Sequence, residues 1–384
     1  MGEVLVISTK ADSGLEYLHK RKLGLYIESF SDYFDRLHMV LPDNVSRLFK
    51  RCSGLLLIHS VKQFFFEGQF GKYFNSIFYL ISSFIKALLV LKKYPKIKII
   101  TNPWGHEIYG IEVIILSKLF KKKSVIKVAG GSDTYQKKFP ALLLKIFRRL
   151  ENFVIKNSDF VITASPLLLK KFPKYSKKLY VLPNICPAVD KYSKKKLITK
   201  NQEPFKLIFV GRLKPVKGVE ILLESIAYLQ KRGYSMECQI IGDGEMMDNL
   251  KNMAAKLELK KIKFWGYQEQ EKVYDLIRKS NVLVLPSYSE FMPNVIIEAM
   301  AIGALVISSN FDGVEYLVED LKTGLIFSKG DSRSLALKIK YAISHPKEIH
   351  EMEKRAQKRA EQKFSNVALR KKRHKLINAI FDSY

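Results

Sequence analysis

The sequence predicts an α/β chain built as two doubly wound, Rossmann-like domains facing across a cleft. Three observations carry this expectation. Short apolar runs that stop at Gly, Pro or Asn alternate with segments of helical apolar spacing along most of the chain. At 384 residues the chain is too long for one ordinary domain and fits two of roughly 150 to 200 residues each. Over residues 190–204, DKYSKKKLITKNQEP, apolar periodicity lapses, as it does in a linker. The expected domains are residues 1–189 and 205–350, followed by a helical segment over 351–384.

Composition sets further bounds. With 47% hydrophobic and 12% aromatic residues, each half can bury a substantial core. Cys52, Cys186 and Cys238 are scattered without ligand spacing, which fits a reducing compartment and no zinc site. The opening MGEVLVIST lacks the basic and apolar regions of a signal peptide and reads as a first strand. Charge is lopsided: residues 1–200 hold 36 Lys/Arg against 14 Asp/Glu, whereas the remainder holds 30 against 23. The first half is therefore expected to meet an anionic surface. No recognised nucleic-acid reader motif is present, which leaves lipid headgroups as the expected surface and nucleic acid as no partner.

In the first domain, residues 4–7 form the first strand, followed by a loop with Ser13-Gly14 and a helix from about Leu15. If Gly14 opens that helix, its backbone can approach a ligand closely; a plain loop glycine is the competing reading. Residues 61–93 are aromatic-rich, and Ile77, Leu80, Ile81, Phe84, Ile85, Leu88 and Leu89 recur at helical spacing. Asn75, Ser82, Ser83 and Lys86 interrupt the run, so a core helix is expected rather than a membrane span, with contact to a bilayer as the alternative. Strands follow at 97–100, 124–128, 160–163 and 180–182, with helices at 113–120 and 141–156. The last of these, ALLLKIFRRLENFVIK, is basic and amphipathic, and fits either a sheet-covering helix or a membrane-facing one.

The second domain opens with a strand at 206–210 that runs into Gly211-Arg212 and Lys217-Gly218 before a helix. Backbone approach at Gly211, forked donors from Arg212 and a point charge from Lys217 suit a diphosphate; solvated surface cations are the competing reading. The glycine spacing is not that of a Walker loop. A strand at 237–241 leads into Gly242-Asp243-Gly244, and one at 261–264 into Trp265-Gly266-Tyr267, where backbone and aromatic groups can hold a planar base.

The most informative stretch is KSNVLVLPSYSEFMPNVIIEAMAIGALVISS, from Lys279 to Ser309. An apolar strand at 282–285 stops at Pro286, crosses a polar turn to Glu290, and becomes helical at Val295, Ile296, Ala299 and Met300, with Gly303 as its C-cap. Glu290 then lies at the carboxyl end of a strand, where open parallel sheets bind ligands, and Glu298 about two turns into the helix. Taken alone, Glu298 equally fits the solvated side of that helix. The helix start near Met292, Pro293 and Asn294 offers free amides and a positive dipole end to an anion.

Gly211-Arg212, Lys217-Gly218, Gly242-Asp243-Gly244, Gly266, Pro286-Ser287, Glu290, Pro293-Asn294, Glu298-Ala299-Met300 and Gly303, in this order and spacing, resemble retaining glycosyltransferases of family 4. The resemblance spans residues 206–345 and is looser in the first half. It implies a two-domain GT-B fold, with the donor nucleotide on the second domain, the acceptor on the first, and a final helix crossing back. It implies that Arg212 and Lys217 neutralise the donor diphosphate, that Glu290 contacts the donor sugar, and that Glu298 binds the ribose hydroxyls. Amides near Pro293-Asn294 would face the phosphates. The scheme needs no metal and no cofactor, and the chain has no Asp-x-Asp motif.

The function so implied is retaining transfer of a hexose from a UDP- or GDP-linked sugar to a glycan or polyprenyl-linked acceptor. The setting is cell-surface polysaccharide biosynthesis, with the protein peripherally attached to the cytoplasmic face of the membrane. Two departures from the family pattern set a second reading beside it. Phe291 stands where the family usually has Gly directly after the first glutamate. The first-domain histidine is missing from Ala129-Gly130-Gly131-Ser132-Asp133, leaving Asp133, or His106 from a neighbouring loop, on the acceptor side. A non-catalytic nucleotide-sugar or glycan-binding homologue is therefore the alternative.

Overall fold

The computed structural model describes residues 2–7, 34–42, 56–61, 69–102, 107–128, 141–193 and 204–382. Its contacts separate two compact units, residues 1–182 with 372–384, and residues 183–371. Each is a parallel sheet with helices packed on it, the Rossmann-like architecture that alternating strands and helices dictate.

The first unit carries seven strands: β1 (Gly2–Ile7), β2 (Phe34–Pro42), β3 (Leu56–Val61), β4 (Ile97–Asn102), β5 (Lys123–Val128), β6 (Phe160–Thr163) and β7 (Leu179–Val181). They pair in the order β3-β2-β1-β4-β5-β6-β7, all in parallel. Strands covered on both faces read as unbroken apolar runs, and Val4, Leu5, Val6 and Ile7 are all buried. On one face lie α1 (Gln69–Lys93), α2 (Glu107–Leu119) and α3 (Ala141–Asn157), which share a core with Leu5, Ile7 and Ile126. On the other face Leu376, Ile377 and Ile380 line a small apolar cavity with Val4, Val6, Ile99 and Val125. The expected helix after Leu15, Gly14, His106, Asp133 and the aromatic-rich start at 62–68 lie outside the described residues.

The second unit carries β8 (Phe205–Val210), β9 (Met236–Ile241), β10 (Ile262–Gly266), β11 (Val282–Leu285), β12 (Leu305–Ser309) and β13 (Leu325–Phe327), ordered β10-β9-β8-β11-β12-β13 and again parallel. Strand order reverses between β8 and β11, the point where doubly wound sheets open a crevice at their carboxyl ends.

The contact division departs from the boundaries read at 189/190 and 350/351. A short helix, α5 (Pro187–Tyr192), follows the shorter α4 (Leu167–Lys171) and buries Ala188, Val189 and Tyr192 in the second core. The Tyr192 ring meets Tyr274 edge-on at 5.8 Å, so residues from 183 onward belong with the second unit. Of the stretch 190–204, Asp190 to Tyr192 are helical and 194–203 lie outside the described residues. At the other end, Pro346–Phe364 buries Ile349, Met352, Ala356, Ala360 and Phe364 in the second core. The final helix, Asn366–Asp382, is divided near Lys372 between the two units.

Candidate active site

The candidate site is assembled at the carboxyl ends of β8 and β11. After β8 the chain turns through Gly211 and Arg212, makes a 3-10 turn over Pro215–Lys217, and enters α6 (Val219–Gln230) through Gly218. Gly218 has φ +61°, and a Cβ there would lie 2.3 Å from the Pro286 carbonyl oxygen. Only glycine allows this left-handed backbone to sit so close to the β11 loop. The Tyr288 amide completes the junction by donating to the Val216 carbonyl at 2.8 Å.

This junction brings two predicted side chains together across 73 positions of sequence: Lys217 Nζ donates to Glu290 Oε1 at 2.5 Å. Both are well shielded, with side chains 18% and 11% exposed. Ser287 Oγ donates to the same carboxylate oxygen at 2.7 Å, and Ser309 Oγ anchors the Ser287 carbonyl at 2.5 Å. Glu290 is thus held by a charged and a neutral donor at once. Arg212, on the same loop as Lys217, is exposed.

The second loop, between β9 and α7 (Met247–Lys256), crosses the first. Gly242 donates to the Gly266 carbonyl at 2.8 Å, and Leu213 to the Asp243 carbonyl at 2.9 Å. Gly242 has φ +121°, and a Cβ on it would stand 2.0 Å from the Gly211 carbonyl oxygen. In the third loop, Asp243 Oδ2 accepts from the Tyr267 amide at 2.6 Å, leaving the Tyr267 ring exposed next to Gly266. Trp265 is engaged elsewhere: Lys263 Nζ lies 3.6 Å from its ring centroid and its Nε1 donates to Gln239. Of the Trp265-Gly266-Tyr267 trio, the exposed ring is that of Tyr267.

Beyond Glu290 the chain enters α9 (Asn294–Ile302). Pro293 precedes it with extended backbone and no side-chain cap; the Ile296 amide donates to the Pro293 carbonyl at 3.2 Å, and the Asn294 and Val295 amides at the start of α9 are left without a side-chain cap. Asn294 Oδ1 is buried at this helix start without a hydrogen-bond partner among the described residues. One turn and a little further on, Glu298 Oε1 accepts from Gln270 Nε2 at 2.9 Å and lies 3.5 Å from the Tyr274 hydroxyl, both on α8 (Gln270–Lys279). Glu298 also lies close enough to Cys186 to add to the burial that pushes that thiol far above its usual range.

Residues 190–359 match the family model of glycosyl transferases group 1. The group 1 match ends within the helix Pro346–Phe364 and contains every donor-side residue described above. Among relatives, the chain is 30% identical over 141 residues to the amylovoran biosynthesis glycosyltransferase AmsK of Erwinia amylovora, covering 35% of each chain. It is 32% identical over 165 residues to a UDP-Gal:alpha-D-GlcNAc-diphosphoundecaprenol alpha-1,3-galactosyltransferase of Escherichia coli, covering 40% of this chain and 42% of that one. The match therefore spans well under half of these relatives' length. In three dimensions the chain is similar to Anabaena HepE in complex with UDP, with a TM-score of 0.72 at 17% identity over 98% of this chain and 100% of that one. At that identity the likeness is one of fold.

Sequence reasoning missed the residues that hold the acids. Pro286-Ser287 enters the sequence reading only as part of the family pattern, with no role for the hydroxyl, and the segment that holds Gln270 and Tyr274 is given no element at all. The signal available for Ser287 was its place at the carboxyl end of a buried strand, three residues ahead of an acid.

Proposed function

We propose that the chain is a retaining glycosyltransferase that moves a hexose from a UDP- or GDP-linked sugar to a glycan or polyprenyl-linked acceptor in cell-surface polysaccharide biosynthesis. The observation that carries this reading is the Lys217–Glu290 pair beside the β8/β11 switch point, flanked by Arg212 and the uncapped start of α9. The group 1 match over residues 190–359 supports glycosyl transfer, and the galactosyltransferase relative, whose name specifies a diphosphoundecaprenol acceptor, supports a lipid-linked one.

In this proposal Lys217, Arg212 and the α9 amides take up the diphosphate charge, and Glu290 contacts the sugar as Lys217 turns to phosphate. Glu298, Gly211, Gly266, Tyr267, Pro293 and Asn294 hold the rest of the donor, and Gly14, His106 and Asp133 stand on the acceptor side. The sugar C1–O bond breaks with its electron pair passing to the β-phosphate oxygen. The acceptor hydroxyl attacks from the same face and gives its proton to that oxygen, so configuration is retained. Cationic groups placed where leaving-group charge develops contribute roughly 100-fold or more each in such sites. The reaction as drawn uses no metal. The protein acts at the cytoplasmic face of the cell membrane, attached peripherally.

The test is a nucleotide-sugar panel by thermal shift, since a ligand that binds only the folded state raises its melting temperature. Radiolabelled forms of the sugars that shift it are then offered with a membrane extract. Product with the parent protein, and its loss in Glu290→Ala and Arg212→Ala, is expected. Thermal shift without any turnover would instead favour a non-catalytic binding homologue, the reading that Phe291 motivates.

A further inference from the structure

Helices that cover a parallel sheet in a soluble unit keep their apolar stripe inward and turn charge and amide groups to water. The three helices on one face of the first unit do the inward half and then break the rule outward. On α1, Ile81, Ile85 and Leu89 recur every four residues on the outer side, Leu89 being 57% exposed. On α2 the outward pair is Ile115 and Leu119, again four apart. On α3 it is Leu142, Ile146 and Phe153, with Leu142 71% exposed.

These stripes are neighbours. α1 packs on α2 and α2 on α3, all three drawing on one core. α2 and α3 pack tightly at Gly110 of α2, where a Cβ would sit 2.8 Å from a methyl of Val154 on α3. Eight exposed large apolar side chains on three adjoining helices make an outer face of a kind soluble monomers rarely keep bare.

Among the described side chains, exposed charge on this face has one sign. Every exposed charged side chain described on the three helices is Lys or Arg: Lys92, Lys93, Lys118, Lys145, Arg148, Arg149 and Lys156. Of the carboxylates on these helices, the two whose side chains are described are withdrawn from the surface, Glu112 under Ser83 of α1 and Glu151 against Lys171. Among the described residues no helix is long and apolar enough to cross a membrane. Apolar stripes rimmed by cations, on helices that cannot span, match a bilayer interface with anionic headgroups: the apolar side chains enter the acyl boundary and the cations stay among the phosphates.

We infer that the outer face of α1, α2 and α3 is a docking surface for an anionic lipid bilayer. This rests on the membrane attachment proposed above and names the surface that performs it. Because apolar burial accompanies the charge contacts, attachment should weaken with ionic strength without vanishing.

The experiment is flotation of the full chain with phosphatidylcholine vesicles with or without phosphatidylglycerol. Two variants are compared with the parent, Ile85→Glu with Leu89→Glu and Ile146→Glu with Phe153→Glu. The parent should float with the anionic vesicles, retain part of that binding at high salt, and each variant should partition about tenfold or more weakly. Both variants should keep the parent's thermal shift with nucleotide-sugar, which separates this inference from the donor-site reading. If the parent floats and both variants float equally, another surface carries the attachment and the inference is wrong. If the parent does not float at all, membrane attachment itself falls and takes this surface with it. A parent dimer that light scattering shows becoming monomeric in the variants, without vesicle binding, would assign the face to self-association instead. Should the variants fail to fold, an environment-sensitive dye on Leu142→Cys, compared with one on exposed Leu337→Cys of the second unit, gives the same decision. A blue shift on adding anionic vesicles at residue 142 but not at 337 upholds the face, and equal responses overturn it.

Discussion

At the scale of single residues, the Lys217–Glu290 pair is the most consequential contact. Removing Lys217 leaves a shielded carboxylate with Ser287 as its remaining named donor. Lys217→Ala should therefore lower stability by roughly 2 kcal/mol, between the values for exposed and fully buried pairs, as read by denaturant unfolding. Under the proposed function the same change should reduce kcat/KM by roughly 100-fold or more. A variant that loses stability while keeping full turnover would make the pair structural only. Glu112 gives a pH signature in the other unit. Burial pushes its carboxyl up to about 8, against the opposing hydrogen bond from Ser83. An unfolded glutamate titrates near ~4.3, so between about pH 4.3 and 8 the folded chain holds a proton that the unfolded chain has lost. The stability associated with Glu112 is present at low pH and drains away as pH rises through that window. Glu112→Gln should flatten this part of the profile, by a few kcal/mol between the two limits, in denaturant titrations run at several pH values.

At the scale of elements, the crossing of the glycine loops makes a sharp test. Gly242→Ala forces a Cβ against the Gly211 carbonyl at a left-handed φ. A cost of about 2 kcal/mol, or a fall of roughly 4–8 °C in the melting of the second unit, is expected in calorimetry. Tyr192→Ala should cost roughly 3 kcal/mol, because it empties a buried ring site beside Tyr274. Much of this architecture is legible in the chain. β11 and α9 can be read to within a residue because an apolar run, a proline stop and helical spacing agree. β2 could not, because Asp35, Arg36 and His38 interrupt its apolar pattern. His38 is tolerated there only by tertiary partners: Glu3 at 3.1 Å, His59 at 3.4 Å and the Tyr94 ring at 4.4 Å. α5 was hidden for a similar reason, since Asp190 and Lys191 give its end the look of a linker. The meeting of Lys217 with Glu290 follows from sheet order, which no local pattern encodes, although each residue could be picked out by its place after a strand.

At the scale of the whole molecule, the end of the final helix completes the first unit. Leu376, Ile377 and Ile380 face Val4, Val6, Ile99 and Val125 on one side of its sheet. Deleting residues 372–384 should strip that side, and hydrogen exchange should then show protection falling in β1, β4 and β5 while β8, β11 and β12 hold theirs. Equal loss in both sheets would mean that the two units unfold together. The lopsided charge seen in the sequence becomes local at this scale. Part of it is carried outward on α1, α2 and α3, where Glu112 and Glu151 are turned inside.

The divided helix also bears on how the chain is made. Residues 183–371 are continuous and can close their sheet as soon as they leave the ribosome, whereas the unit begun first lacks part of its own core until residues 376–380 emerge. At roughly 5–20 residues per second, translation of the intervening unit leaves the earlier strands waiting about ten seconds or longer with one apolar side uncovered. Synthesis order and completion order are therefore reversed, and the nascent first unit is the one exposed to association in the meantime.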